Sequence, residues 1–356
     1  MLGSIRVCRM HCMERIFSVT LSDGRVTEVY KADGFEDLRA FLGTLPSGLI
    51  VTDDNVIKAF DGGSSLVLEH GEANKRWESI DMILSSALGK GLARDSFFIG
   101  IGGGVICDMA GFSSSLYMRG SRLILVPTSL LCMVDATLGG KTGIDYMGGK
   151  NLVGSFYPAE KVIISMDFID TLPECEFRSG MGEVIKHAFL SEDDRLLSFL
   201  SRNRDRIEAR DKKTLEEMLI LSLEVKISYI SRDPEEKLGI REALNLGHTF
   251  AHALETYSDY TVSHGEAVAW GTGKALEAGF RLGITPESMY RSGIRLLDEY
   301  GYGAISVQED RYSVFENAIG KDKKKKKGEV RFVLMEAQGK HRLMPLEKDF
   351  IRSIVL

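Results

Sequence analysis

The sequence predicts an α/β protein, with an N-terminal Rossmann-like parallel-sheet domain at residues 1–172 and a mainly α-helical C-terminal domain at residues 173–356. Three observations carry this. Through the first half, short β-branched runs alternate with amphipathic stretches, the pattern of parallel strands joined by helical crossovers. After about Thr171-Leu-Pro173, long helical periodicities take over and strand candidates become sparse. The length of 356 residues is also too great for one small core and suits two domains.

Taken in order, Met13-Glu-Arg-Ile-Phe-Ser-Val begins a strand-like pattern, and the residues before it are expected to be a dispensable extension or a misassigned start. Strands are predicted at residues 48–52, 65–68, 97–101, 122–126 and 161–165, with a helix over 75–88. Sheets of this kind bind ligands at the carboxyl ends of their strands. Helices are expected to dominate from Arg178 to Gly301, including 213–231 and 264–282, before a strand near 330–334.

Composition narrows the class of function. An apolar fraction of 44% supports a large core, and a net charge of −6 gives no general attraction to nucleic acid. The five cysteines are scattered, without Cys-x-x-Cys, so no disulfide framework or zinc knuckle is expected. No signal peptide or membrane-length apolar run occurs, and a cytoplasmic protein with neither membrane nor nucleic-acid partner is expected. The lysine run Lys321–Lys327 has no interleaved aromatic residues and reads as a solvated loop.

A nucleotide site is suggested by Phe98-Ile-Gly-Ile-Gly102-Gly103-Gly104-Val105-Ile-Cys-Asp108, a strand running through glycines into a helical pattern. Glycines let backbone N–H groups approach a pyrophosphate at a helix N-terminus. Asp53 and Asn55 follow one predicted strand, and Glu72 and Lys75 follow another, where carboxylates can accept from ribose hydroxyls. Each alone is more often a turn or cap, but their recurrence after successive strands points to one cleft. Thr128, Ser129, Asp135, Lys141, Lys150 and Asn151 then supply hydroxyls, a carboxylate, amines and an amide among glycines, suited to an anionic, hydroxyl-rich ligand.

Three of the seven histidines, His248, His252 and His264, fall within seventeen residues. His248 and His252 are four apart, hence on one face of a helix, and a second helix starting near His264 can return a third imidazole to the same point. Glu183 and Lys186 are three apart. Their ordinary reading is a surface ion pair; the competing one makes Glu183 the carboxylate of a His, His, Glu zinc site. Spacing alone does not choose among the imidazoles.

In this order and spacing the motifs resemble the 3-dehydroquinate synthases of the sugar-phosphate cyclase family. They are Gly102–Asp108, Tyr117-Met-Arg119-Gly120, Val134–Thr142, Gly149–Tyr157, Glu183-Val-Ile-Lys186, Asn245–Thr249, His264–Val268 and Asp322-Lys-Lys324. The family pattern is departed from at Cys107, Ser129 and Ala251, each a small residue.

The resemblance implies conversion of 3-deoxy-D-arabino-heptulosonate 7-phosphate to 3-dehydroquinate and phosphate, a step of the shikimate route. It proceeds by transient oxidation with NAD, phosphate elimination, return of the hydride and intramolecular aldol closure. NAD is then bound by Asp53, Asn55, Glu72, Lys75, Gly103, Gly104, Val105, Asp108, Thr128, Ser129, Lys141 and Lys150. Glu183, His248 and His264 hold Zn2+ or Co2+.

Lys141, Asn151, Lys186, Asn245 and His252 match positions around the phosphate, and Lys226 and Arg241 match positions facing the carboxylate. Asp135 and Lys150 match positions where nicotinamide and substrate meet. Arg119 matches a residue reaching a neighbouring subunit, which implies a homodimer, and Lys323 or Lys324 matches a substrate lysine. The rivals are a cyclase acting on glucose 6-phosphate or sedoheptulose 7-phosphate, and a metal-dependent glycerol or alcohol dehydrogenase. The polar set Lys226, Arg241, Asn245 and His252 favours a carboxylated substrate, since buried cations lacking an anion cost roughly several kcal/mol.

Overall fold

A parallel sheet organises the first half of the chain because its strands are buried on both faces: all six residues of Phe97–Gly102 are buried. The computed structural model describes residues 9–10, 13–21, 24–303, 305–320 and 330–356, and the chain divides into two units, Met1–Pro173 and Glu174–Leu356. The first unit contains strands β1 (Arg9–Met10), β2 (Met13–Thr20), β3 (Val26–Ala32), β4 (Gly48–Asp53), β5 (Leu66–Leu68), β6 (Phe97–Gly102), β7 (Arg122–Pro127), β8 (Lys141–Tyr146), β9 (Gly149–Phe156) and β10 (Lys161–Ser165). Its helices are α1 (Phe35–Thr44), α2 (Val56–Ala59), α3 (Trp77–Gly89), α4 (Gly104–Leu116) and α5 (Asp167–Asp170).

The main sheet has the order β1-β2-β3-β10-β7-β6-β4-β5, parallel from β3 to β5 and antiparallel at β1, β2 and β3. From β4 the chain passes outward to β5 and then back to β6 on the other side, so the winding reverses between β4 and β6. Ligands of open α/β sheets bind at such a reversal. The predicted strands are all present. The hairpin β8–β9 lies outside the main sheet and occupies a glycine-rich stretch in which no strand is predicted. Its glycines answer to close backbone approach: a Cβ at Gly154 would overlap the Thr142 carbonyl oxygen.

The second unit is largely helical: α6 (Glu174–Leu190), α7 (Arg195–Glu208), α8 (Lys212–Arg232), α9 (His248–Tyr257), α10 (His264–Arg281), α11 (Glu287–Glu299), α12 (Tyr312–Gly320) and α13 (Lys348–Val355), with a hairpin of β11 (Phe332–Ala337) and β12 (Lys340–Met344). Helix α10 is its centre, packing on α6, α9, α11 and β11. The run Gly265, Ala267, Val268, Ala269, Gly271, Thr272 and Gly273 is buried, which lets neighbouring helices approach closely. No helix among the described residues is long and apolar enough to cross a membrane.

Candidate active site

Three helices of the second unit converge on one point. Glu183 lies in the third turn of α6, and His248 and His264 are the first residues of α9 and α10. Glu183 Oε1 is 3.6 Å from His248 Nε2 and 3.5 Å from His264 Nε2, and the three ligand atoms lie within 4.8 Å of one another. Ligands about 2.0–2.1 Å from a tetrahedral zinc ion stand about 3.3 Å apart, so the set requires little movement to hold one ion.

Glycines make the convergence possible. A Cβ on Gly182 would overlap the Gly265 carbonyl oxygen, so α6 and α10 cross backbone to backbone beside Glu183 and His264. Before α9, Gly247 takes a left-handed conformation (φ 77) and lies against Gly271 and Thr272.

Hydrogen bonds also fix the imidazoles. His248 Nδ1 is 3.2 Å from the Leu246 carbonyl oxygen, which only accepts, so Nδ1 carries the proton and Nε2 keeps a lone pair towards Glu183. His264 Nδ1 faces Glu255 Oε1 at 3.4 Å. Both Glu183 oxygens are buried without a hydrogen-bond partner, while Lys186 forms an ion pair with the carboxylate. A buried carboxylate beside two imidazole Nε2 atoms fits a borderline cation such as zinc or cobalt, which would displace any proton held there.

Electrostatics follow the same grouping. Burial raises the Glu183 pKa, but Lys186, His264 and His248 prevail and hold it well below the usual carboxylate range. Burial lowers that of His264, but Glu183 and Glu255 push it up to about 10.

Other predicted residues of this unit include three cations. Lys186, Lys226 and Arg241 are all buried. Arg241 Nη1 donates to the Pro234 carbonyl at 2.6 Å, and its backbone N–H donates to Asp233. Asn245 ends the 3-10 turn Arg241–Asn245. The His252 ring centroid lies 5.7 Å from that of His248 and 6.3 Å from that of His264. Lys323 and Lys324 lie outside the described residues, as does the whole run Lys321–Lys327.

In the first unit, Asp53 ends β4 and the Gly102–Gly104 turn ends β6, flanking the reversal of winding. Gly103 caps α4, with Gly104 and Val105 in its first turn. Thr128 donates its N–H to the Gly102 carbonyl, and a Cβ on Gly103 would be 3.6 Å from Ser129 Oγ. Asp53 Oδ1 accepts from the backbone of Asn55 and Val56; Asn55 and Glu72 are exposed.

Lys75 is buried and donates to Asp108 at 2.6 Å and to Asn151 Oδ1 at 2.5 Å, joining a predicted nucleotide group to a predicted substrate group. Burial raises Asp108 to about 6, against the opposing pull of Lys75. Asp135 lies in a π-helical turn at Cys132–Ala136, Lys141 and Lys150 are exposed on the hairpin, and Arg119 has a left-handed backbone (φ 64).

Family models described as 3-dehydroquinate synthase N-terminal and 3-dehydroquinate synthase C-terminal match residues 65–179 and 180–325. A 3-dehydroquinate synthase from Pseudomonas fluorescens is 42% identical over 276 residues, 77% of this chain and 75% of the relative. The chain belongs to the 3-dehydroquinate synthase family. Its function is that of a 3-dehydroquinate synthase, EC 4.2.3.4, in the shikimate pathway.

Solved structures agree on the fold of the enzyme. A 2-deoxy-scyllo-inosose synthase complexed with carbaglucose-6-phosphate, NAD+ and Co2+ matches with a TM-score of 0.81 at 24% identity, over 95% of this chain and 98% of that one. A 2-epi-5-epi-valiolone synthase from Streptomyces hygroscopicus subsp. jinggangensis 5008, with NAD+ and Zn2+ bound, matches with a TM-score of 0.78 at 21% identity over 98% of each chain.

Sequence reasoning passed over several residues that shape the site. Asp233 accepts backbone N–H groups from Lys237, Leu238 and Arg241 and so folds the loop that presents Arg241. The available signal was Asp233-Pro234 at the end of a helical pattern. Asp145 accepts from the Asn151 backbone at 2.7 Å, and its own N–H donates to the Lys75 carbonyl, tying the hairpin to the Lys75 turn. Nothing in local spacing signalled that contact.

Proposed function

We propose that the enzyme carries out its reaction on 3-deoxy-D-arabino-heptulosonate 7-phosphate with NAD and one Zn2+ or Co2+ held by Glu183, His248 and His264. The observation that carries the metal assignment is the approach of both Nε2 atoms to one buried Glu183 oxygen, with each Nδ1 facing an acceptor. When bound, NAD supplies a hydride acceptor regenerated within each turnover, and the ion supplies a Lewis acid for a substrate hydroxyl.

The chain's own residues bind and orient. The Gly102–Gly104 turn and the N-terminus of α4 take the pyrophosphate, with Asp53, Asn55, Glu72, Asp108, Thr128 and Ser129 around the rest of the nucleotide. Lys75 holds Asn151 and Asp108 in register. Lys186, Asn245, His252, Lys141 and Asn151 bind phosphate oxygens, and Lys226 and Arg241 bind the substrate carboxylate. Lys186, Lys226 and Arg241 supply more positive charge than a neutral alcohol needs, which suits a substrate carrying both a phosphate and a carboxylate. Asp135 and Lys150 contact the region where nicotinamide meets substrate.

Arg119, which is exposed, serves a neighbouring copy in a homodimer. A reducing cytoplasm accords with the free thiols of Cys107, Cys132 and Cys175.

The test is direct. Protein supplied with zinc and catalytic NAD is expected to release phosphate from 3-deoxy-D-arabino-heptulosonate 7-phosphate with no net NADH. Stoichiometric NADH would instead indicate a dehydrogenase.

A further inference from the structure

Glu255 is not one of the proposed metal ligands, yet it is one of three buried acidic side chains among the described residues of the second unit, with Glu183 and Asp233. It lies seven residues after His248 on α9, so His248, His252 and Glu255 share one face over two turns. Its Oε1 is 3.4 Å from His264 Nδ1, while the other ring nitrogen of His264, Nε2, is 3.5 Å from Glu183 Oε1. His264 therefore stands between two carboxylates, one at each nitrogen.

The backbone of the same residue shapes the turn that leads into α10. The Glu255 carbonyl accepts from the Tyr260 N–H at 2.8 Å and from the Ser258 hydroxyl at 3.1 Å. Ser263 then caps α10 immediately before His264. Glu255 thus restrains both the His264 ring and the chain entering it.

We propose that Glu255 is a positioning residue of the metal site, an inference that rests on the metal reading of Glu183, His248 and His264. Its carboxylate accepts the Nδ1 proton of His264, which fixes the tautomer with the Nε2 lone pair directed at the ion. Its negative charge behind the ring makes Nε2 a better donor and offsets part of the charge of a divalent cation. Acceptors placed behind metal-bound histidines act in this way, and losing one weakens metal binding about tenfold to a hundredfold.

The experiment measures Zn2+ affinity of the full-length protein by competition with a chromophoric chelator, with Co2+ visible absorption as a second readout. Glu255→Ala is expected to bind Zn2+ about tenfold to a hundredfold more weakly and to alter the Co2+ spectrum. Glu255→Gln keeps a carbonyl acceptor but no charge, so an intermediate loss is expected, and it decides the matter if the alanine variant does not fold. Zinc affinity within about twofold of the parent in either folded variant, small beside the effect of losing such an acceptor, overturns the assignment. A parent that binds no stoichiometric Zn2+, or a His264→Ala variant that retains it, overturns the underlying metal reading instead.

Discussion

Gly182 and Gly265 cross backbone to backbone, and no side chain larger than hydrogen fits at either position: a Cβ on Gly182 overlaps the Gly265 carbonyl, and one on Gly265 overlaps the Ser179 carbonyl. Each glycine adjoins a predicted ligand, Glu183 or His264. Separating α6 from α10 therefore separates a carboxylate from an imidazole that now stand 3.5 Å apart.

Gly265→Ala is expected to lower stability by about 1–3 kcal/mol, the usual cost of overpacking, and to weaken metal binding. Thermal unfolding and metal content of the purified variant check this. A variant with parental values for both would show that the crossing does not govern the site.

His264→Ala is expected to lose stoichiometric metal, whereas His252→Ala should keep it and lose turnover. His252 belongs to the same histidine group, but its ring centroid is 6.3 Å from that of His264, and it is not among the three residues whose ligand atoms converge. Metal analysis beside a phosphate-release assay separates the two outcomes. Equal metal loss in both variants would remove the division of roles.

Asp108 is expected to leave a signature in the pH dependence of stability. Burial raises its folded-state pKa from 3.8 to about 6, despite Lys75. Between those values the folded protein keeps a proton that the unfolded chain has released, so this residue's contribution falls as pH rises through the window. Asp108→Asn should therefore gain on the parent by about 1–3 kcal/mol between about pH 4 and 7, at 1.36 kcal/mol per pKa unit. Denaturant unfolding at several pH values measures it, and a constant difference would contradict it.

Asp233 has the opposite sign. Burial raises its pKa, but backbone N–H groups of Leu238, Arg241, Lys237 and Ile240 outweigh that and hold it below 3.8. Its stabilisation is present above the unfolded pKa and is lost as pH falls through the lowered folded value. Asp233→Ala is expected to cost about 1–3 kcal/mol near neutral pH, the penalty for leaving backbone donors without their acceptor, and to raise the KM for substrate through Arg241. The stability difference from the parent should shrink in acid. Unfolding curves and steady-state kinetics test both parts; an unchanged KM would separate the loop from substrate binding.

The strands of the sheet were legible because buried parallel strands carry dense β-branched runs, as in Phe97–Gly102 and Lys161–Ser165. The metal group was legible from histidine spacing, but the choice among His248, His252 and His264 came from resemblance, because geometry between helices is not written in local periodicity. The hairpin β8–β9 escaped for a physical reason. Gly143 and Gly154 permit its backbones to approach, yet glycine in a sequence signals turns more strongly than strands. Asp233 and Glu255 act through contacts that depend on where helices end and how they pack, so neither stood out from ordinary helical acids.

Glu183, His248 and His264 all belong to the second unit, whereas the glycine turn, Lys75 and Asp108 belong to the first. The two kinds of loading are thus separate variables at the level of side chains. A protein stripped by chelator should still be open to titration with nucleotide, and one freed of nucleotide should still be open to titration with metal. Any interdependence of the two titrations would then measure a communication free energy between the halves of the chain, a quantity that neither set of ligands contains by itself.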